Sequence, residues 1–178
     1  VGAYAMGPNA QGAAYVYLGT IFGVAQSSVW AGTGGQANAY YGCSVAGVGD
    51  VNGDGYGDVL VGAFLYDHLV TDTGAAWLYY GRASGVTAAA AWDYMPSQST
   101  AYLGQCVAPA GDANGDGYAD LAIGAPSYTH AQANEGLAAI FYGSADGPGL
   151  GPDLYWFGGQ ANAFLGNSVV TAGDVDGD

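Results

Sequence analysis

Short apolar runs of about four to eight residues, each bounded by Gly, Pro, Asn or Asp, follow one another along this chain and predict strands rather than helices. The clearest set spans Gly42–Gly49, Asp58–Ala63 and Gly74–Gly81, with a weaker fourth strand around Ala90–Tyr94. Helical periodicity is not sustained anywhere. The run Ala88–Ala91 has helix propensity, but Gly85, Thr87 and Pro96 flank it and leave it little room. The segments Ala75-Ala76-Trp77-Leu78-Tyr79-Tyr80 and Asp58-Val59-Leu60-Val61 are apolar at successive positions. A strand with one solvated face would alternate, so these are predicted to be buried on both faces.

The pattern repeats every 62 residues. Gly49-Asp50, Gly111-Asp112 and Gly173-Asp174 keep that step, as do Gln36, Gln98 and Gln160. So do Tyr40, Tyr102 and Phe164, Tyr17, Tyr79 and Phe141, and Gly12, Gly74 and Gly136. Near the start, Val1-Gly2-Ala3 matches Val61-Gly62-Ala63 if two residues are missing beside Phe64. Four doubly buried strands at such a period describe the blades of a β-propeller. A β-solenoid is the rival, but its repeats are usually much shorter. The expectation is an all-β chain forming part of one propeller domain over residues 1–178. Its repeats run approximately over 1–40 (partial), 41–102, 103–164 and 165–178 (partial).

Charge sharpens the picture. There are 15 acidic residues against one basic residue, Arg82, and the net charge is −14. Nucleic acid and anionic membrane surfaces both require Lys and Arg and are disfavoured as partners. Acidity alone would suggest disorder, but 51% of residues are apolar and 13% aromatic, enough for a core. Val1 to Gly49 carries no charged side chain, yet Asn9, Gln11, Gln26, Gln36, Asn38 and many glycines interrupt it. No run of about 18 apolar residues suggests membrane insertion, and no basic segment followed by an apolar core suggests a signal peptide. Cys43 and Cys106 are too few for a disulfide framework and read as small buried residues.

The acids are clustered. The segments 50–58 and 112–120 read Asp-Val-Asn-Gly-Asp-Gly-Tyr-Gly-Asp and Asp-Ala-Asn-Gly-Asp-Gly-Tyr-Ala-Asp. Oxygen side chains stand at positions 1, 3, 5 and 9, with a glycine at 6 for a sharp turn. Asp50, Asn52, Asp54 and Asp58, with the backbone carbonyl of Tyr56, approach the six or seven oxygens that Ca²⁺ takes. Asp112, Asn114, Asp116, Asp120 and the Tyr118 carbonyl do the same, and Asp174, Asp176 and Asp178 begin a third cage. An EF-hand would need Glu at position 12, where Val61 and Ile123 stand. Mg²⁺ keeps more waters, and Zn²⁺ would want His or Cys. Turn chemistry without metal is the simpler alternative, but three carboxylates in so tight a loop would repel one another. No nucleophile elbow, phosphate loop or His-Glu-x-x-His motif occurs, and an enzyme is not expected.

Each acidic loop is bracketed by a second pair of motifs: Tyr41-Gly42 with Gly62-Ala63-Phe64, and Leu103-Gly104 with Gly124-Ala125-Pro126, while Leu165-Gly166 opens a third. In this the chain resembles the FG-GAP repeats of integrin α-subunit propellers and their bacterial relatives. Tyr or Leu replaces Phe before the glycine, and Phe64 replaces Pro, which touches packing rather than metal binding. The resemblance implies a propeller of about seven blades with Ca²⁺ between the first and second strands of a blade. It also implies an extracellular or cell-surface setting and no catalysis. Ligands are expected on the face opposite the calcium loops, where the candidates are Tyr66, His68, Tyr128 and His130. The function implied is a calcium-binding module for adhesion or protein–protein contact. The aromatic content leaves a carbohydrate-binding (lectin-like) propeller, or an accessory domain of a secreted enzyme, as the alternative. The partners expected are thus a protein or glycan ligand and further blades, from the same protein or from other copies of the chain. A propeller ring does not close on about three repeats, so a fragment or an oligomer-closed unit is expected.

Overall fold

The computed structural model describes residues 1–173. The strands are β1 (Gly2–Ala3), β2 (Ala13–Val16), β3 (Gly19–Thr20), β4 (Gly23–Val24) and β5 (Trp30–Thr33). They continue as β6 (Ser44–Gly49), β7 (Asp58–Ala63), β8 (Ala75–Tyr79), β9 (Gly81–Arg82), β10 (Gly85–Val86) and β11 (Trp92–Tyr94). Last come β12 (Cys106–Gly111), β13 (Asp120–Ala125), β14 (Leu137–Phe141) and β15 (Leu154–Phe157). They form three principal antiparallel sheets, ordered β1-β2-β5, β6-β7-β8-β11 and β12-β13-β14-β15. The second and third are four-stranded meanders and are the predicted propeller blades. The pairs β3–β4 and β9–β10 are small hairpins projecting from the first and second sheets.

Registers repeat with the sequence. Leu60 faces Leu78 and Val61 faces Trp77 in one blade; Ala122 faces Ile140 and Ile123 faces Ala139 in the next. Strands β7 and β13 are buried nearly throughout, as expected for sheets covered on both faces. Leu60, Leu78, Leu103, Leu121, Ile123 and Phe141 lie fully buried in one cluster spanning the two complete blades. Each such side chain contributes about 1.5–3 kcal/mol by leaving water. Trp92 and Tyr94 of the second sheet pack edge-on against Phe141 of the third, with ring centroids 5.1 and 4.8 Å apart.

The predicted strand Gly74–Gly81 is shorter than expected, and the reason is local. The Gly81 N–H leaves the sheet to donate to Asp58 Oδ1 at 2.7 Å, which turns the chain into the β9–β10 hairpin. Gly143 does the same with Asp120 Oδ1 at 2.9 Å. The inner strands β6 and β12 each carry a register shift, at Gly47/Gly49 and Pro109/Gly111, just before the acidic loop. A bulge there bends the strand and tolerates the missing N–H of Pro109.

Adjacent blades meet backbone to backbone. A Cβ on Gly62 would overlap the carbonyl oxygen of Gly104, and one on Gly124 would overlap that of Gly166. The glycine pairs bracketing each acidic loop are therefore required by the junction. At the same junctions Tyr40, Tyr102 and Phe164 hold φ of 55°, 58° and 52°, a left-handed backbone that costs an aromatic residue about 1–2 kcal/mol.

Candidate metal centre

Each acidic loop springs from a bulged inner strand and returns as the second strand of the same blade. In the first loop Asp50 Oδ1 accepts the Asp54 N–H at 3.0 Å and Oδ2 accepts the Gly55 N–H at 2.8 Å. Asp54 Oδ1 accepts the Tyr56 N–H at 2.9 Å, and Asn52 donates its side-chain amide to Asp54 Oδ2 at 3.0 Å. The second loop reproduces every one of these bonds. Asp112 takes the N–H groups of Asp116 (3.0 Å) and Gly117 (2.9 Å), Asp116 takes that of Tyr118 (2.9 Å), and Asn114 donates to Asp116 (2.8 Å). Positive φ at Gly53 and Gly55, and again at Gly115 and Gly117, makes the tight turn possible.

The ninth position differs from the rest. Asp58 and Asp120 are buried, and both oxygens of each accept backbone N–H groups. Asp58 takes Val51 (2.8 Å) and Gly81 (2.7 Å); Asp120 takes Ala113 (2.7 Å) and Gly143 (2.9 Å). Burial pushes the Asp58 carboxyl above the usual carboxylate range. The two N–H donors oppose that, and the charges of Asp54 and Asp50 add to it. The same balance raises Asp120. These two residues tie the loop to the segment that follows the third strand of their own blade.

Among the described residues, no group of three or more His, Cys, Asp and Glu side chains converges as a finished ion cage. The carboxylates are turned onto the loop's own N–H groups, which separates like charges. The donor set nonetheless fits a hard cation: only oxygen, three carboxylates and an amide within nine residues, and no basic side chain in either loop. Asp174, Asp176 and Asp178 lie outside the described residues.

The loops are also coupled sideways. The Ala119 N–H donates to the Asp50 carbonyl (3.0 Å) and the Ser144 N–H to the Val51 carbonyl (3.1 Å). The Tyr118 ring lies against Gly53, where a Cβ would come within 2.6 Å of its Cε1.

On the opposite face the four candidate ligand residues do not form one site. Tyr66 stands edge-on to Trp77 (5.0 Å) and Tyr128 stacks on Phe157 (5.9 Å), both half-buried. His68 is exposed. His130 lies flat on Phe157 at 4.2 Å, with Nδ1 3.9 Å from the buried Glu135 carboxylate. That carboxylate also accepts the N–H groups of His130, Ala131 and Gln132. Burial pushes Glu135 up, but these donors and His130 outweigh it and hold the carboxyl below its ordinary value. Thr73 occupies the equivalent place in the preceding blade, which is why Glu135 escapes a search for repeats.

Antiparallel four-stranded blades, each with an oxygen-only loop between its first two strands, define a repeat protein of the β-propeller class. Residues 44–79 and 107–141 match the model of the FG-GAP repeat, and the chain carries repeats of that type. Integrin alpha-IIb of Mus musculus is 37% identical over 121 residues, covering 64% of this chain and 11% of the relative. Integrin alpha-V of Gallus gallus is 33% identical over 159 residues, 84% of this chain and 15% of the relative. Integrin alpha-5 of Xenopus laevis is 30% identical over 181 residues, 92% of this chain. The chain spans only 16% of that relative's length.

Proposed function

We propose that the chain is a calcium-stabilised, non-catalytic propeller module that serves adhesion or protein–protein contact at the cell surface or outside the cell. The observation that carries this reading is the duplicate acidic loop, identical in donor types and internal bonding at two equivalent repeat positions, inside segments of FG-GAP type. One Ca²⁺ per complete loop is held by Asp50, Asn52, Asp54, Asp58 and the Tyr56 carbonyl, and by Asp112, Asn114, Asp116, Asp120 and the Tyr118 carbonyl. Asp174, Asp176 and Asp178 start a third site on the same plan. The ion supplies charge neutralisation and a cross-link among carboxylates that otherwise repel. A dissociation constant of about 10⁻⁴–10⁻³ M, usual for extracellular calcium modules, suits a setting rich in that ion. The protein partner meets the face that carries Tyr66, His68, Tyr128 and His130, away from the ion loops. Among the described residues no helix is long and apolar enough to cross a membrane.

The test is thermal unfolding in EDTA and in millimolar Ca²⁺, paired with calorimetric counting of bound ions. An ion that binds only the folded state raises the melting temperature by mass action. Coincident melting curves in the two buffers would remove calcium from the proposal.

A further inference from the structure

Three successive residues of the second acidic loop bear on the first. The Tyr118 ring covers Gly53, where a Cβ would come within 2.6 Å of Cε1. The Ala119 N–H donates to the Asp50 carbonyl at 3.0 Å, and its methyl group faces Gly49, where a Cβ would stand 2.8 Å away. Asp120 reaches the first loop through a series of three hydrogen bonds. Its Oδ1 accepts the Gly143 N–H (2.9 Å), the next N–H, of Ser144, donates to the Val51 carbonyl (3.1 Å), and the Val51 N–H donates to Asp58 Oδ2 (2.8 Å). Gly143 is held so closely between the loops that a Cβ there would overlap the carbonyls of Ala119 and Val51.

Under the calcium reading, the Tyr118 carbonyl and the Asp120 carboxylate are ligands of the second loop, so an ion there fixes the segment 118–120. The same segment is a wall of the first loop, touching it at Gly49, Asp50 and Gly53. The two roles use different atoms of Tyr118, the carbonyl for its own loop and the ring for its neighbour. A segment already ordered by one ion requires no further ordering for the other, and this favours joint filling.

Charge acts in the opposite sense. Each complete loop carries three aspartates, so an ion in one loop cancels negative charge that would attract a cation to the other. The loops are largely exposed, and at 0.15 M salt such a field is screened over about 8 Å. Direct contact is not screened, and it decides the sign.

We propose that Tyr118 is a positioning residue shared by two ion sites, and that neighbouring loops consequently take up Ca²⁺ cooperatively. The inference rests on the calcium reading and adds that the sites are not independent. Coupling is reciprocal: the factor by which one ion raises the affinity of the other loop holds in both directions. For two similar loops, a coupling factor of about ten lowers each midpoint by its square root, about threefold.

Amide NMR during a Ca²⁺ titration at 0.15 M salt tests this loop by loop. The Gly55 N–H, bonded to Asp50, reports on the first loop, and the Gly117 N–H, bonded to Asp112, on the second. Asp116→Ala disables the second loop and is expected to raise the midpoint at Gly55 about threefold. Electrostatics alone predicts the reverse, because the disabled loop keeps two carboxylates with no cation and is more negative than a filled one. Asp54→Ala is expected to raise the midpoint at Gly117 by a similar factor, although the hydrogen bonds of Asp54 stay within the first loop. Tyr118→Ala raises the midpoint at Gly55 and leaves Asp116→Ala a smaller further effect; Tyr118→Phe keeps the ring and the wild-type midpoint. Well above both midpoints each intact loop still fills, so coupling changes the concentration required and not the final occupancy. Midpoints unmoved by loss of the other loop, or Tyr118→Phe as damaging as Tyr118→Ala, overturn the proposal and leave calcium in place. Amides of both loops that ignore Ca²⁺ remove the calcium reading and the coupling together.

Discussion

Replacing Asp120 by Ala isolates the contribution that the ninth position of the acidic loop makes to building the blade, beyond the ion binding proposed for the whole loop. Asp120 is fully buried, and its oxygens satisfy the N–H groups of Ala113 and Gly143 at 2.7 and 2.9 Å. Alanine would leave two N–H groups without partners. At about 1–3 kcal/mol for each stranded group, the gross cost is about 2–6 kcal/mol. Burial already disfavours the charged carboxylate, so removing it returns some of that, and we expect a net loss of about 2–4 kcal/mol. Asp116 is exposed, and its oxygens accept the Tyr118 N–H and the Asn114 amide at the surface. Its replacement by Ala exposes those donors to water and costs about 0.5–1.5 kcal/mol. Urea unfolding in EDTA is the assay, because without the ion only the protein's own bonds count. Asp120→Ala is expected to lower the midpoint well beyond Asp116→Ala. In Ca²⁺ both variants lose the ion-dependent gain of one loop and keep that of the other, since repeats couple mainly to neighbours. If Asp120→Ala were no more damaging than Asp116→Ala in EDTA, the structural role assigned to the ninth position would be refuted.

Two further outcomes follow from the junctions and the far face. Gly124→Ala places a Cβ onto the Gly166 carbonyl and is expected to cost about 1–3 kcal/mol or more, whereas Gly47→Ala, with open space around it, stays near neutral; chemical denaturation of both checks this. Glu135 has a depressed carboxyl, so its stabilisation is whole above its ordinary value of 4.5 and drains away as pH falls through the lower folded value. Glu135→Gln should lose stability at neutral pH and flatten the acid limb of the stability profile, read from unfolding midpoints across the acid range.

Most of this architecture was legible because the physics that demands each residue repeats with the chain. Gly62 and Gly124 are needed wherever blades touch backbone to backbone, so they recur in step and betray the period. Strands β7 and β8 could be placed from apolar runs alone because both their faces are covered. The end of β8 could not, since it depends on the Gly81 N–H reaching a carboxylate 23 positions earlier. Nor does spacing distinguish Asp58 from Asp54: both are loop aspartates, yet one is walled into the blade and the other faces water. The buried Glu135 was hidden for the opposite reason, standing where the preceding blade has Thr73. The glutamines were visible as a repeat, but a period says nothing about which neighbour a side chain clasps.

The acidic loop and the blade junction are one piece of structure rather than two. The carbonyls of Asp50 and Val51, at the root of the first loop, are engaged by the N–H groups of Ala119 and Ser144 in the following blade. The Tyr118 ring that covers Gly53 belongs to the next loop. Any change in the shape of the first loop therefore acts on the packing of its neighbour, and the loop backbone is held from outside as well as by Asp58 within. On the far face Gln36 and Gln98 hold each blade to the next through backbone atoms alone, since only the N–H and carbonyl of Asp67 and Thr129 take part. The side chains at those two positions differ in type, yet the oxygen of each accepts the N–H five residues on, that of Asp72 (2.7 Å) and of Asn134 (3.1 Å). The acidic loops thus repeat in both residue type and bonding, whereas the opposite face repeats its bonds with Asp in one blade and Thr in the next.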